Sequence, residues 1–247
     1  VNNKTEIIEI TGNESLLDVL RQLGYFSAKS GGCIRGECGA CTVLLNGKPV
    51  NSCMFLAVQA QGHEIETVEK FGEQAQQGWK QTEGFDPLQT AMIESGAVQC
   101  GYCTPAMILS AKALLRENPN PNEAEIREAL SGVMCRCTAY VKPVQAIQRA
   151  VELMAEPQNK TDLSTYEPEM LQVDDIPDMQ RIGKSDTKID AASLAQGKPA
   201  FTADLALKDN LIAKVLRSPY AHARIKSIDA TKARALPGVA AVLTWED

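Results

Sequence analysis

Hydrophobic and polar positions follow one pattern up to about residue 75, a second from there to about residue 155, and a sparser one after residue 180. In the first stretch, Thr5–Ile10 and Cys41–Asn46 read as short strands, and Glu64–Val68 as a further one. Asn46-Gly47 marks a two-residue hairpin turn into Lys48-Pro49-Val50, because a type I′ turn needs positive φ at both central positions. Ser15–Leu20 reads as a short helix crossing this sheet, which gives a small α+β unit ending near residue 75 in a Gln-rich stretch.

The second stretch has helical period. Asp86-Pro87 opens one helix with a capping Asp and Pro at the first position, and Leu88, Ala91, Met92 and Ser95 mark its inner face. Thr104-Pro105 opens another in the same way, through Met107, Ile108, Ala111 and Leu115 to Asn118-Pro119. Asn122 and Glu125 form a capping box for a third, which stops at Ser131-Gly132. Pro143 to about Ala155 makes a fourth, with Val144, Ile147, Val151 and Met154 in register. Four short helices are most simply packed as a bundle.

Glu156–Gln180 carries three Pro, seven acidic residues and one Lys, so this stretch accounts for the whole net charge of -6 and reads as an extended linker. Beyond it, Ala200–Asp204, Leu211–Leu216 and Val239–Leu243 look like strands and Ile228–Ala233 like a short helix. So few apolar positions make a thin core, and this part is expected to need more protein to complete it. The acidic balance argues against a nucleic-acid partner. No apolar run is long enough for a membrane span, and the start has no signal-peptide core; the missing initiator Met suggests trimming or an incomplete start.

The eight cysteines, at 33, 38, 41, 53, 100, 103, 135 and 137, fall into two sets of four with none left over. This reads as two metal sites in a reducing cytoplasm rather than a disulfide framework. Cys33-x4-Cys38-x2-Cys41, with Cys53 following, has the plant-type spacing of a [2Fe-2S] cluster, in a glycine-rich loop able to wrap a cofactor. Cys100-x2-Cys103 and Cys135-x-Cys137 sit in two helix–helix connections that one end of a bundle would bring together. By spacing alone that second set leaves a four-cysteine zinc site open.

Three motifs carry a resemblance. Gly32-Cys33-x4-Cys38-Gly39-Ala40-Cys41-Thr42-Val43, Gln99-Cys100-Gly101-Tyr102-Cys103-Thr104-Pro105 and Cys135-Arg136-Cys137-Thr138-Ala139-Tyr140 resemble the iron–sulfur part of the molybdenum hydroxylases, the xanthine dehydrogenase and aldehyde oxidoreductase family. One departure is Ala139, where the family usually has Gly. Leu216–Ile225 and Leu236-Pro237-Gly238-Val239 resemble the opening of the molybdenum-binding subunit, so the chain looks like a fusion of the two parts, the second cut short.

The resemblance implies an α+β chain: a plant-ferredoxin-like (β-grasp) domain over 1–76, a four-helix-bundle cluster-binding domain over 77–156, the acidic linker 157–180, and an incomplete α/β hammerhead-like segment over 181–247. It implies two [2Fe-2S] clusters, one on Cys33, Cys38, Cys41 and Cys53 near the surface, the other on Cys100, Cys103, Cys135 and Cys137 beside a molybdopterin. Gln99 and Cys137 are the positions expected to contact the pterin, which other protein would mainly hold; no residue here is expected to be catalytic. The implied role is electron transfer from the molybdenum centre to an acceptor during hydroxylation of a purine, xanthine-type substrate. An aldehyde oxidoreductase of the same architecture, or an independent ferredoxin-like carrier, is the alternative. Expected partners are a molybdenum-binding catalytic chain or continuation and a flavin subunit or other acceptor, in an oligomer; FAD would sit only on a partner.

Other signals are set aside. Gly183-Lys184-Ser185 lacks the first Gly of a P-loop, which would fall at Asp178, and no Gly-x-Gly-x-x-Gly occurs. His63 and His222 read as surface or packing residues, and Arg136 as either an exposed charge or a partner to a cluster's negative charge.

Overall fold

A computed structural model describes residues 1–72, 84–155, 186–205 and 211–247. The chain divides into two compact units, Val1–Leu205 and Ala206–Asp247. The linker read over 157–180 lies outside the described residues.

In the first unit, Ser15 caps α1 (Leu16–Gln22) through a reciprocal capping box with Asp18. Strands β1 (Thr42–Leu45), β2 (Lys48–Asn51) and β3 (Ile65–Glu66) form an antiparallel sheet in the order β2-β1-β3. The hairpin is the one the sequence predicts: Leu45 pairs with Lys48, with Asn46 at φ 49° and Gly47 at φ 80°. Because side chains alternate across a strand, β1 serves two cores at once. Val43 packs with Leu16, Leu17 and Leu20 of α1, whereas Leu44 packs into the helical core with Leu88 and Met107; both are 0% exposed.

That helical core comprises α2 (Pro87–Glu94), α3 (Thr104–Glu117), α4 (Glu123–Leu130) and α5 (Val141–Ala155), with α2 against α5 and α3 against α4. Asp86 and Asn122 cap α2 and α4 as read from the sequence. In α3 the cap position belongs to Cys103, which contributes no side-chain bond, and Thr104 is the first helical residue. A fifth helix, α6 (Ala191–Ala195), was not foreseen; it packs on α2 and α3. Buried Glu66 ties the sheet to this layer, taking Arg116 of α3 at 2.7 Å and Lys70 at 2.5 Å.

Burial alone would raise the Glu66 pKa, but the two cations more than reverse it and hold the carboxyl below its ordinary value. A depressed carboxylate stabilises the fold above its unfolded pKa, and that contribution is lost as pH falls through the folded one. Glu66→Gln is therefore expected to lower stability at neutral pH and to flatten the loss below about pH 4, as read from thermal midpoints measured across pH.

Several strand readings fail. Thr5–Ile10 forms no strand and Ile7 is 93% exposed. The free edge of β3 is already taken by Asn2, whose N–H donates to the Ile65 carbonyl (2.8 Å) and whose side chain bonds the N–H and hydroxyl of Thr67 (both 2.8 Å). Positive φ at Asn2 and Asn3 then turns the chain away. Ala200–Asp204 is no strand either: Thr202–Asp204 is a 3₁₀ turn, and the Asp204 carboxylate accepts the N–H groups of Ala200 and Phe201 that a ladder would use. In the second unit, Leu211–Leu216 and Val239–Leu243 find no strand partner among the described residues, and a strand needs one to persist. Leu211, Ile212, Leu216 and Trp245 are all at least 75% exposed. The helix read at Ile228–Ala233 is present as α7 (Thr231–Arg234).

Candidate metal centre

The first cysteine set lies on the loop leading into β1 and on the 3₁₀ turn after β2. Ile34 holds φ 54°, an unusual value for a β-branched residue, and the loop around it turns its backbone donors inward. The N–H groups of Glu37 (3.2 Å), Cys38 (3.3 Å) and Arg35 (3.4 Å) all donate to Cys33 Sγ. These bonds, from Arg35 first and then Cys38, bring the Cys33 pKa down to about 7. Such a nest of N–H groups is what a thiolate ligand calls for. A Cβ on Gly32 would lie 2.7 Å from Cys38 Sγ, so only glycine leaves room for that sulfur. Cys41 is buried, and burial pushes its thiol up to about 11 beside the sulfur of Cys53. Ser52, fully buried, fixes the Cys53 turn by donating to the Cys41 carbonyl at 2.7 Å.

The second set lies where the sequence places it, between α2 and α3 and between α4 and α5. Burial raises the Cys103 pKa, and the adjacent Cys135 adds to the shift. Bonds from the Cys100 N–H and side chain hold Cys137 below the ordinary thiol value. The Cys135 N–H donates to the Tyr140 hydroxyl at 2.9 Å, which closes the loop ahead of α5. The left-handed residue here is Thr138 (φ 57°), not Ala139. Alanine at 139 therefore costs no backbone strain, and its methyl packs in the helical core.

All eight cysteines are free thiols. Among the described residues, no three or more His, Cys, Asp or Glu side chains converge as the ligands of one metal ion would. In the first set Cys33 lies beside Cys38 and Cys41 beside Cys53, and a two-iron cluster takes two thiolates at each iron. The second set is linked through Cys103 with Cys135, Cys135 with Cys137, and Cys137 with Cys100. The donor chemistry and the cradle therefore fit an iron–sulfur group.

The two loops touch backbone to backbone. The Met134 N–H donates to the Cys38 carbonyl at 2.9 Å, and Gly39 (φ 66°) lies against Gly132 so closely that a Cβ would sit 2.0 Å from its carbonyl oxygen. Gln99, Cys100, Arg136 and Tyr140 are exposed on the second loops, with Cys137 half-buried. His63 and His222 are both exposed and join neither cysteine set.

Residues 67–148 match the [2Fe-2S] binding domain family, and residues 196–247 match the a/b hammerhead domain of aldehyde oxidase and xanthine dehydrogenase. The nicotinate dehydrogenase small FeS subunit of Eubacterium barkeri is 47% identical over 156 residues, 63% of this chain and 94% of that one. The aldehyde oxidoreductase of Megalodesulfovibrio gigas is 34% identical over 254 residues, covering 100% of this chain but 26% of its own length. The crystal structure of the aldehyde oxidoreductase from Desulfovibrio desulfuricans superposes with a TM-score of 0.75 at 34% identity, over 98% of this chain and 26% of that one. The chain belongs to the molybdenum hydroxylase family, of which it carries the iron–sulfur region. It is part of a molybdenum-dependent oxidoreductase, and it spans about a quarter of the fused aldehyde oxidoreductases it matches.

Proposed function

We propose that this chain carries electrons between a molybdopterin centre and an acceptor, with one [2Fe-2S] cluster on Cys33, Cys38, Cys41 and Cys53 and a second on Cys100, Cys103, Cys135 and Cys137. When bound, the clusters supply one-electron carriers in series. The observation that carries this reading is the direct backbone contact between the two cysteine loops, Met134 N–H to Cys38 carbonyl, which holds the two sites side by side. The residues of this chain supply N–H groups to the sulfurs, exclude water from Cys41, Cys103 and Cys135, and fix the distance between the sites.

In this reading residues 1–76 form the plant-ferredoxin-like domain, 77–156 the helical one, 157–180 the linker and 181–247 the start of the hammerhead-like domain. Exposed Gln99 and half-buried Cys137 face a pterin held mainly by the molybdenum-binding protein, which is the expected catalytic partner in an oligomer. An acceptor, a flavin subunit among the candidates, docks nearer the first set. A cytoplasmic setting, where thiols stay reduced until a cluster is loaded, suits this reading. No described helix is long and apolar enough to cross a membrane. The relatives do not single out a purine substrate, being named for nicotinate, xanthine, hypoxanthine and aldehydes; substrate choice rests with the pocket at the molybdenum. An independent ferredoxin-like carrier is disfavoured by the hammerhead match over 196–247.

Reductive titration followed by visible absorption tests the role. The protein should take up about two electrons per chain, one per cluster. Uptake of none would remove the electron-transfer reading.

A further inference from the structure

Residues 191–204, read from the sequence as part of the segment after the linker, do not stand apart from the cysteine loops. They lie across both. Leu194 of α6 sits on the Cys100–Cys103 loop: a Cβ on Gly101 would come within 2.6 Å of Leu194 Cδ1. Ala203 sits on the other loop, where a Cβ on Gly31, two residues before Cys33, would meet the Tyr102 hydroxyl at 2.9 Å and Ala203 Cβ at 3.5 Å. Tyr102 itself lies between two cysteines of the second set, and the Phe201 ring packs on it edge-on with centroids 5.0 Å apart. One short segment thus touches the residues flanking both sets.

Its anchor is a buried charge cluster. Asp204, 5% exposed, accepts Arg21 Nη1 at 3.0 Å and Lys29 Nζ at 3.1 Å, together with the N–H groups of Ala200 and Phe201. Lys29, 3% exposed, also lies 4.8 Å from the Phe201 ring centroid, and Arg21 donates to the carbonyls of Ala28 and Ala203. A lysine this deeply buried is costly unless an acid meets it, so removing the carboxylate leaves two cations facing one another without their shared partner. At the other end, fully buried Gln89 of α2 donates to the Ala195 carbonyl at 3.3 Å.

We infer that Ala191–Asp204 is a positioning strap which seats the two cysteine loops against each other, with Asp204 as its pin on Lys29 and Arg21. This rests on the two-cluster reading for its functional consequence, while the strap itself is a property of the polypeptide. Lys29, Arg21 and Phe201 ligate nothing; they act through the loops that carry the thiolates. A released strap would leave each loop able to hold iron, with the spacing between the two sites no longer fixed.

The test uses the full chain, with Asp204→Asn and the milder Phe201→Leu beside the parent. Amide hydrogen exchange is read at residues 29–33 and 100–103, and the spin–spin splitting between the two reduced clusters is read by electron paramagnetic resonance. In both variants exchange should accelerate roughly tenfold in both segments, and the splitting should narrow or vanish while iron per chain stays at the parent value. Faster exchange in only one segment, or an unchanged splitting with both clusters present, would overturn the strap. A parent protein without iron defeats the cluster reading instead, and the exchange data then still decide whether the strap holds both loops. If Asp204→Asn does not fold, Phe201→Leu decides, because it leaves the charge cluster intact.

Discussion

Replacing Gly39 by alanine is expected to separate the two cysteine loops and lower the thermal midpoint of the first unit by about 10 °C. Two effects add. Gly39 sits at φ 66°, a left-handed conformation that costs a residue with a Cβ roughly 1–2 kcal/mol. The new methyl would also lie 2.0 Å from the Gly132 carbonyl oxygen and 3.1 Å from Val133 Cα. These are backbone atoms, so no side chain can swing aside, and overpacking of this kind costs about 1–3 kcal/mol more. Together they approach 4 kcal/mol, and each kcal/mol moves the midpoint of a unit this size by about 2–4 °C. Scanning calorimetry of the cluster-loaded protein measures the shift. A midpoint unchanged by Gly39→Ala would show that the loop contact contributes nothing.

The second large effect is expected from Cys103→Ser. Cys103 is 8% exposed, at the start of α3, with Cys135 beside it. Serine offers a hydroxyl that does not ionise readily in a buried site, so the second cluster should be lost. Iron should drop from about four to about two per chain, and one of two paramagnetic signals should disappear with the other unchanged. Cys41→Ser should give the complementary loss. Loss of both signals in each variant would mean that the eight thiols form one interdependent site.

Much of this was legible in the chain. The Asn46-Gly47 turn, the Asp86 and Asn122 caps and the helical period of α2 to α5 are local signals, set by residues close in sequence, and the structure has them all. The placement of Cys100 and Cys103 between one pair of helices and of Cys135 and Cys137 between another was legible for the same reason, because the helix boundaries around them are set locally. What was not legible depends on distant partners. The alternation in Thr5–Ile10 is a good strand pattern, yet Asn2 occupies the β3 edge. Ala200–Asp204 looks extended until Asp204 meets Lys29 and Arg21, more than 170 positions earlier. The backbone contact at Gly39 is likewise invisible locally, since its partner is Gly132. The glycines at 39 and 101 were the available hint, but a glycine in a ligand loop is explained equally well by the loop.

The most direct measurement is electron paramagnetic resonance of the dithionite-reduced native protein, paired with iron and acid-labile sulfide analysis. Two distinct [2Fe-2S] signals, with about four irons and four sulfides per chain, are the predicted result. A colourless protein with zinc in place of iron and no labile sulfide would contradict it.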